Sequence, residues 1–289
     1  MTTTMNFNLN KKHSEWGKII RRVIEYTLIT IGAVLMLIPF VWMFLSSFKI
    51  NAEIFVYPPK WLPSIWHWDN YVQVFHAMPF QIFTLNSFKI SVLSAIGQIF
   101  SCSLAAFAFA RLKFPGRDTI FVILLACLMI PTQVLIIPLY AIYNHFGLIN
   151  TQIPLILPNF FGGSFGTFLL RQFFMTIPTE LDDAATIDGA SKMQIFWYIH
   201  VPIAKPAIAT LAVFVFMANW NDLLGPIIYL NSYNKMTLAV GLAFFRGEYM
   251  TNWPLLMAGA LISIIPITLV YLFAQRYFVK GVVISGLKG

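Results

Sequence analysis

Charged residues are scarce in this sequence. Of its 289 residues, 10% are charged and 58% are hydrophobic, and only 11 are acidic. Soluble globular domains carry about 25% charged residues. A chain so poor in charge has far more apolar surface than one water-soluble core can cover, which excludes an ordinary soluble domain. The composition predicts an all-α integral membrane protein.

The sequence also has few cysteines and no nucleotide-binding motif. Cys102 and Cys127 both lie in apolar runs, which predicts two buried thiols and no disulfide framework. No G-x-x-x-x-G-K-[ST] loop occurs, so no segment is expected to cradle a nucleotide phosphate. The five histidines are scattered, and no metal-ligand spacing is visible. We therefore expect no cofactor on this chain and no enzymatic activity of its own.

Long hydrophobic runs are what the sequence has instead. Six of them reach the roughly 20 residues that a helix needs to cross a bilayer. The third run is interrupted at Pro131 and the fourth at Pro158–Gly166, which fits either packing kinks, favoured at Pro131, or flexible gating segments. The glycines of the fourth run alternatively predict close helix approach. The first run is longer than the apolar core of a signal peptide, so we expect it to be retained. The predicted spans are 23–46, 85–112, 119–143, 152–175, 207–230 and 255–278.

The basic residues indicate an orientation. The net charge is +8, but the Lys and Arg residues flank the hydrophobic spans, so we expect no nucleic-acid partner. With the amino terminus inside, five of the 19 fall on the outer side, namely Lys49, Lys60, Lys89, Lys235 and Arg246. The other fourteen are inside, as the positive-inside rule requires. This predicts two cytoplasmic termini, residues 1–22 and 279–289, around a transmembrane domain at 23–278.

A polar segment at 177–206, between the fourth and fifth spans, is predicted to form two short helices on the cytoplasmic side. Thr179 and Asp182 have the spacing of a capping box at the start of the first helix. Gly189 suits the left-handed conformation in which helices commonly end. Such a short, stiff elbow suits docking on a partner, but capping alone favours a plain, well-capped loop between membrane helices.

The second helix of the segment is predicted to open with a capping box between Ser191 and Gln194. Ile195, Phe196 and Ile199 are its apolar residues. Pro202 and Pro206 are expected to end it, and His200 is expected to be solvated or at an interface rather than a ligand.

The same segment resembles a known signature. Asp183-Ala184-Ala185, then Gly189, then Ile199-x-Val201-Pro202 resembles the EAA signature of ABC-importer membrane subunits. Asp183 stands where the family usually has Glu, and Val201 where it usually has Leu. The resemblance implies a coupling loop in a cleft of an ATPase subunit, and it implies this set of coupling residues: Glu180, Asp183, Ala184, Ala185, Asp188, Gly189, Phe196, Ile199 and Pro202.

Other pieces, in the same order along the chain, resemble the carbohydrate-uptake branch and its smaller maltose-type permease. They are Ser46–Lys49, Asn86-Ser87, Ala105–Arg111, Ile130–Gln133, Phe168–Phe174, Trp220–Asp222 and Gly286–Gly289. The resemblance implies a sugar importer in the bacterial cytoplasmic (inner) membrane. It also implies the partners: a second, different permease, two ATPase subunits that bind ATP and Mg²⁺, an extracytoplasmic solute-binding protein, and membrane lipid around the spans.

One polar cluster lies inside a predicted span. Asp222 is an ionisable residue in the fifth span, which by default suggests a functional site. Asn219, Trp220 and Asn221 adjoin it, and aromatic stacking with Asn and Asp hydrogen bonds is chemistry that suits a sugar. The cluster is predicted to face the translocation path, or alternatively to tie two helices together. The outer segment 231–253, with Lys235, Arg246 and Glu248, is expected to meet the binding protein or to be a solvated loop.

Two other classes remain open at this level. A secondary transporter predicts paired membrane carboxylates or inverted repeats, whereas Asp222 is a single strongly intramembrane acid. A membrane enzyme predicts clustered His and Asp near one membrane face.

Overall fold

The computed structural model describes the backbone of residues 3–247 and 251–286 and the side chains of residues 17–247 and 251–276. Glu248 and the side chains of Lys280 and Gly286–Gly289 lie outside these ranges. Within them the fold is all-helical, with one isolated antiparallel bridge between Arg246 and Thr251. The α-helices are α1 (Thr3–Ser46), α2 (Asn51–Ile54), α3 (Asp69–Ala77), α4 (Phe80–Arg111), α5 (Arg117–Ala126), α6 (Thr132–His145), α7 (Ile153–Ile156), α8 (Ser164–Met175), α9 (Glu180–Ile187), α10 (Lys192–Ile195), α11 (Val201–Ile203), α12 (Lys205–Trp220), α13 (Leu224–Tyr229), α14 (Leu238–Phe244) and α15 (Trp253–Gly286).

The described helices supply four to six candidate membrane spans. Four are long and apolar enough by themselves: Gly17–Ser46, Phe80–Arg111, Ile153–Met175 and Trp253–Arg276. Two further pairs, Arg117–Met129 with Thr132–His145 and Lys192–Ile203 with Lys205–Trp220, qualify only if each bent pair counts as one span. The all-helical membrane fold is thus confirmed, and the predicted number of six is the upper end of this range.

The third predicted span is broken rather than kinked. Its two helical parts meet at 98°, so the expectation of a simple kink at Pro131 is wrong. Ile130 is extended because a residue before proline is disfavoured in the helical region. Cys127 lies in the 3₁₀ turn that precedes this bend and is exposed on the chain, which corrects its predicted burial.

The fifth predicted span is also interrupted. Helix α12 ends at Trp220, and α13 begins only at Leu224, so 207–230 is not one continuous helix. Residues 221–223 form the connection. Backbone that leaves the helical ladder at membrane depth needs cover from protein or from a water-filled cavity. The break therefore marks the part of the span that most needs such cover.

The chain divides into two compact units, the first comprising Met1–Tyr71 and Asn252–Leu261, and the second Val72–Thr251 and Ile262–Gly289. In the first, Phe48 is buried among the rings of Phe44, Trp66, Trp68 and Tyr71. The Asn70 amide donates to the carbonyl oxygens of Ser47 and Lys49 at 2.9 and 3.0 Å. Lys49 Nζ donates to the Lys60 carbonyl at 2.6 Å and lies over the Trp42 ring. The Ser46–Lys49 motif is therefore a buried packing element of this unit.

In the second unit, α4 is the central helix, and it packs against both α8 and α12. Its buried positions are rich in small side chains, which allow close helix approach in a membrane. They include Ser87, Ser91, Ser94, Ala95, Gly97, Cys102, Ser103 and Ala106. On α8, a Cβ added at Gly166 would lie 2.8 Å from Cys102 Sγ and 3.0 Å from Leu211 Cδ1. The predicted close approach at the glycines of the fourth span is confirmed.

Candidate functional site

The 177–206 segment forms the elbow that the sequence predicts. Helix α9 ends at Asp188, and Gly189 has φ +83°, in the left-handed region. The Ala190 amide then donates to the Ala185 carbonyl at 2.9 Å, which closes the turn. Helix α10 opens with the predicted capping box, in which Ser191 and Gln194 each accept the other's backbone N–H.

The predicted cap at Thr179 is wrong. Thr179 has helical backbone angles and its side chain makes no capping bond; its carbonyl instead accepts the amides of Asp182 and Asp183 at 3.0 and 3.1 Å. The Asp182 carboxylate has different partners: Oδ1 accepts from His200 Nε2 at 2.7 Å, and Oδ2 lies 3.4 Å from Arg111 Nε. The Asp182 carboxylate therefore interacts with the buried His200 and Arg111 side chains instead of taking part in a capping box with Thr179.

His200 is fully buried, so the expectation of a solvated or interface histidine is wrong. Its ring makes edge contacts with Phe107 on α4 and Phe174 on α8, with centroids 5.0 and 5.3 Å apart. Burial lowers the pKa of His200 below its ordinary value, and Asp182 opposes that effect while Arg111 adds to it. The imidazole is therefore mainly neutral at pH 7, with Nε2–H donating to Asp182.

The two prolines do not end the second helix as predicted. Helix continues from Lys192 to Ile203 through a π-helical turn at Phe196–His200, and Pro202 lies in the first turn of α11. Pro206 lies in the first turn of α12. Pro206 is tolerated there because the N–H that proline lacks has no helical partner in a first turn, whereas Pro202 directly follows the π-helical turn. The chain bends by 77° between these two helices, at Ala204.

The predicted coupling residues divide into an exposed and an inward set. Phe196 and Ile195 are each 1% exposed and pack in the chain's own core with Phe107, so in this conformation neither side chain is open to a partner. Ala185 and Ile199 are half-buried against the same core. The exposed members are Glu180, Asp183, Ala184, Asp188, Gly189 and Pro202.

Other apolar side chains of the segment are exposed instead. Ile187 is 86% exposed and Tyr198 is 78% exposed. Between α9 and the second helix lies an open cleft of about 260 Å³, lined by Ala185, Asp188 and Tyr198 among others. Sequence analysis missed Ile187 and Tyr198, although Ile187 follows the Asp183-Ala184-Ala185 motif within one turn.

The polar side chains of the Asn219–Asp222 cluster form hydrogen bonds to nearby backbone groups. The amides of Asn219 and Asn221 donate to the carbonyls of Val215 and Met217, four residues earlier in their own helix. Trp220 is buried and stacks on Phe216, with ring centroids 5.5 Å apart. It is therefore not open for stacking on a ligand in this conformation.

Asp222 has a local role that sequence analysis did not propose. Its Oδ1 accepts the Gly225 backbone N–H at 3.2 Å, which caps the start of α13. A Cβ at Gly225 would lie 2.5 Å from Asp222 Oδ2, so only glycine leaves room for this geometry. The predicted alternative, a tie between two helices, is not seen among the described contacts of Asp222.

Sequence analysis also missed Asn150, which fastens two connecting segments together. Asn150 has φ +59°, and its Oδ1 accepts the amides of Asn231 and Ser232 at 3.1 and 2.8 Å. Its carbonyl accepts Lys235 Nζ at 2.7 Å. The Asn86 amide donates to the Asn234 and Met236 carbonyls. The 231–236 stretch is therefore held in place rather than being a free solvated loop.

Comparison with known proteins identifies the family to which this chain belongs. The family described as binding-protein-dependent transport system inner membrane component matches residues 98–284, which include α4 from its middle, the elbow and both broken spans. The chain belongs to this family. Subunits of this family are ABC-importer permeases and lack an ATPase site of their own, so the resemblance to such permeases and the expectation of no enzymatic activity are both confirmed.

Individual relatives agree with the family. This permease is 34% identical over 253 residues to the probable ABC transporter permease protein YurM of Bacillus subtilis, with 87% of this chain and 83% of the relative covered. It is 33% identical to the arabinooligosaccharides transport system permease protein AraQ of Halalkalibacterium halodurans, with 91% and 96% covered. A chain in the crystal structure of a bacterial ABC transporter that imports the acidic polysaccharide alginate has the same fold, with a TM-score of 0.77, 24% identity and coverage of 90% and 96%.

Proposed function

We propose that this permease is one of two different transmembrane subunits of an ATP-driven importer for a sugar or oligosaccharide in the bacterial cytoplasmic membrane. The proposal of a sugar draws on the arabinooligosaccharide permease among its relatives and on the carbohydrate-branch motifs. Two ATPase subunits would bind ATP and Mg²⁺, and an extracytoplasmic binding protein would deliver the sugar. Both termini would be cytoplasmic, as the basic residues predict.

We infer further that the 177–206 segment docks on an ATPase subunit. The observation that carries this inference is a set of exposed apolar side chains on the segment, of which Ile187 and Tyr198 are the most exposed, and Tyr198 lines an open cleft. Exposed Glu180, Asp183 and Asp188 surround it and favour basic groups on the partner. Large apolar and aromatic side chains in such settings commonly supply most of the binding energy of an interface.

In this mechanism, closure of the two ATPase subunits on ATP moves the elbow. Because Ile195 and Phe196 anchor the second helix in the core with α4 and α8, that motion rotates the helical core with it. The cavity between the two permeases then changes from inward-facing to outward-facing, where the binding protein delivers its sugar.

A co-purification experiment tests the docking. The tagged chain is co-expressed with the second permease and the ATPase encoded by neighbouring genes, and the ATPase retained per permease is measured. Ile187→Glu is expected to reduce the affinity for the ATPase by about tenfold or more, the loss of roughly 1.4 kcal/mol. Ile65→Glu is the matched control, since Ile65 is 66% exposed on a segment predicted to be outside. Equal retention with both variants would contradict docking through this surface.

We also propose that the Asn219–Asp222 cluster, at the break formed by residues 221–223, borders the translocation path. The supporting observation is that non-helical backbone at this depth needs a wet or protein-covered environment, and Asn221 is exposed on this chain. Asp222→Asn keeps an oxygen for the Gly225 amide and removes the charge. We expect it to lower sugar uptake at an unchanged level of assembled complex. Unchanged uptake would remove the cluster from the path.

A further inference from the structure

Helix α9 is attached to the rest of the chain in an unusual way. None of its residues is fully buried, whereas the neighbouring turn buries Ile195, Phe196 and His200. Hydrophobic burial therefore fixes the second helix of the elbow but contributes little to fixing α9. The side chain of α9 that has strong contacts with the core is Asp182, whose carboxylate is 14% exposed.

Asp182 lies between two groups that come from different elements. His200 Nε2 approaches one carboxylate oxygen at 2.7 Å from the π-helical turn, and Arg111 Nε approaches the other at 3.4 Å from the last residue of α4. Arg111 Nη2 also donates to the carbonyl of Phe174, in the last turn of α8, at 2.8 Å and to that of Ile177, just after α8 ends. One guanidinium thus joins α4, the end of α8 and α9.

Arg111 and His200 are buried, so separating Asp182 from them is energetically costly. The side chains of Arg111 and His200 are 8% and 0% exposed. A buried charge that loses its partner is strongly destabilising, so α9 cannot move away from Arg111 without a large penalty. The aromatic rings of Phe107 and Phe174 on either side of His200 leave its ring little freedom to follow a displaced Asp182.

We propose that Arg111, Asp182 and His200 are positioning residues that make α9 move as one rigid body with α4 and α8. The inference rests on the proposed docking of the elbow on an ATPase. A displacement applied to α9 by the ATPase then reaches the transmembrane helices without being absorbed at the elbow. Without the cluster, α9 would follow the ATPase while the core stayed behind.

Distance measurements between spin labels test the proposal. Labels are placed at Leu181 on α9 and Leu85 on α4, both exposed, in a chain whose Cys102 and Cys127 are replaced by alanine. The complex with the ATPase is measured without nucleotide and with a non-hydrolysable ATP analogue. In the otherwise unchanged chain we expect one narrow distance distribution that is the same in both states. In Asp182→Asn we expect the distribution to broaden by about twofold or to shift when the analogue binds, because the elbow yields.

Four further variants make the outcome decisive. Asp118→Asn, which removes a carboxylate paired with Arg117 at the surface, is the matched control and should behave as the unchanged chain. His200→Gln retains an N–H donor and should stay narrow, whereas His200→Leu should broaden. If Asp182→Asn does not accumulate, Arg111→Gln/Asp182→Asn, which removes both buried charges, is measured instead.

The failures are distinguishable. An ATPase that does not co-purify with the labelled but otherwise unchanged chain refutes the proposed docking. An ATPase that does co-purify, together with a narrow and constant distance in Asp182→Asn or in the charge-free pair, overturns the positioning role. A distance that already changes with nucleotide in the unchanged chain overturns it as well.

Discussion

Gly189 offers the sharpest test of the elbow, because its effect is purely conformational. Its φ of +83° is a conformation that residues with a Cβ adopt only with strain. A Cβ built there meets nothing within 4 Å, so a larger side chain adds no clash. The cost for alanine is therefore the left-handed strain alone, about 1–2 kcal/mol. A β-branched valine should cost more, up to about 3 kcal/mol.

Because the turn is exposed, the unbound variant can relax out of this conformation; if the ATPase binds only this conformation, the strain then appears as lost affinity. Gly189→Ala should weaken ATPase binding by about 5- to 30-fold, which is what 1–2 kcal/mol amounts to. Gly189→Asn should be nearly as good as glycine, because asparagine tolerates this region. The expected order of affinity is glycine, asparagine, alanine, valine, with the permease still present in the membrane in all four.

The assay is a titration of purified ATPase subunit onto the permease in detergent, with the membrane level of each variant measured separately. Gly32→Val is the control, since Gly32 lies within α1, has an ordinary φ and likewise has nothing within 4 Å of an added Cβ. Wild-type affinity in Gly189→Val would refute the reasoning. So would an asparagine variant as weak as the valine one, because the backbone conformation could not then be the cause.

Three further predictions concern stability, measured as thermal unfolding in detergent. Gly166→Ala should destabilise by about 1–3 kcal/mol through overpacking against Cys102, and Cys102→Ala should restore part of that loss; an additive effect would contradict the close contact. Asn150→Ala should be worse than Asn150→Gly by about 1 kcal/mol, since only alanine adds left-handed strain to the lost hydrogen bonds; equal values would contradict this. The fold lowers the pKa of His200, so protonation of its imidazole favours the unfolded chain, and the stability should fall as the pH drops below about 6.5. The stability of His200→Gln should vary less with pH. Equal pH dependence in the unchanged chain and in His200→Gln would contradict a buried neutral imidazole.

The elbow shows how far local sequence patterns reach. The turn at Gly189 and the capping box at Ser191 depend on residues within four positions of each other, and both are present. Thr179 and Asp182 have the same local pattern, yet Asp182 bonds instead to His200 and Arg111. Those partners are 18 and 71 positions away along the chain, so a rule based on local spacing cannot predict them.

The spans show a similar limit. Hydrophobic runs identify which stretches are apolar, and the all-helical membrane fold follows from them. The breaks at Pro131 and at 221–223 depend on how tertiary contacts and the Asp222 cap satisfy backbone groups, which composition does not report. Phe196 was predicted to belong to the coupling loop because it lies in the signature, but periodicity alone cannot tell which apolar side of an elbow meets its own core.

Uptake into proteoliposomes tests the central claim most directly. The permease, its second permease and the ATPase are reconstituted with Mg²⁺ and ATP inside, and the binding protein with labelled arabinooligosaccharide or another oligosaccharide is added outside. The account predicts accumulation that needs both ATP and the binding protein and that falls in Ile187→Glu but not in Ile65→Glu. Accumulation that proceeds without ATP on an imposed proton or sodium gradient would contradict it.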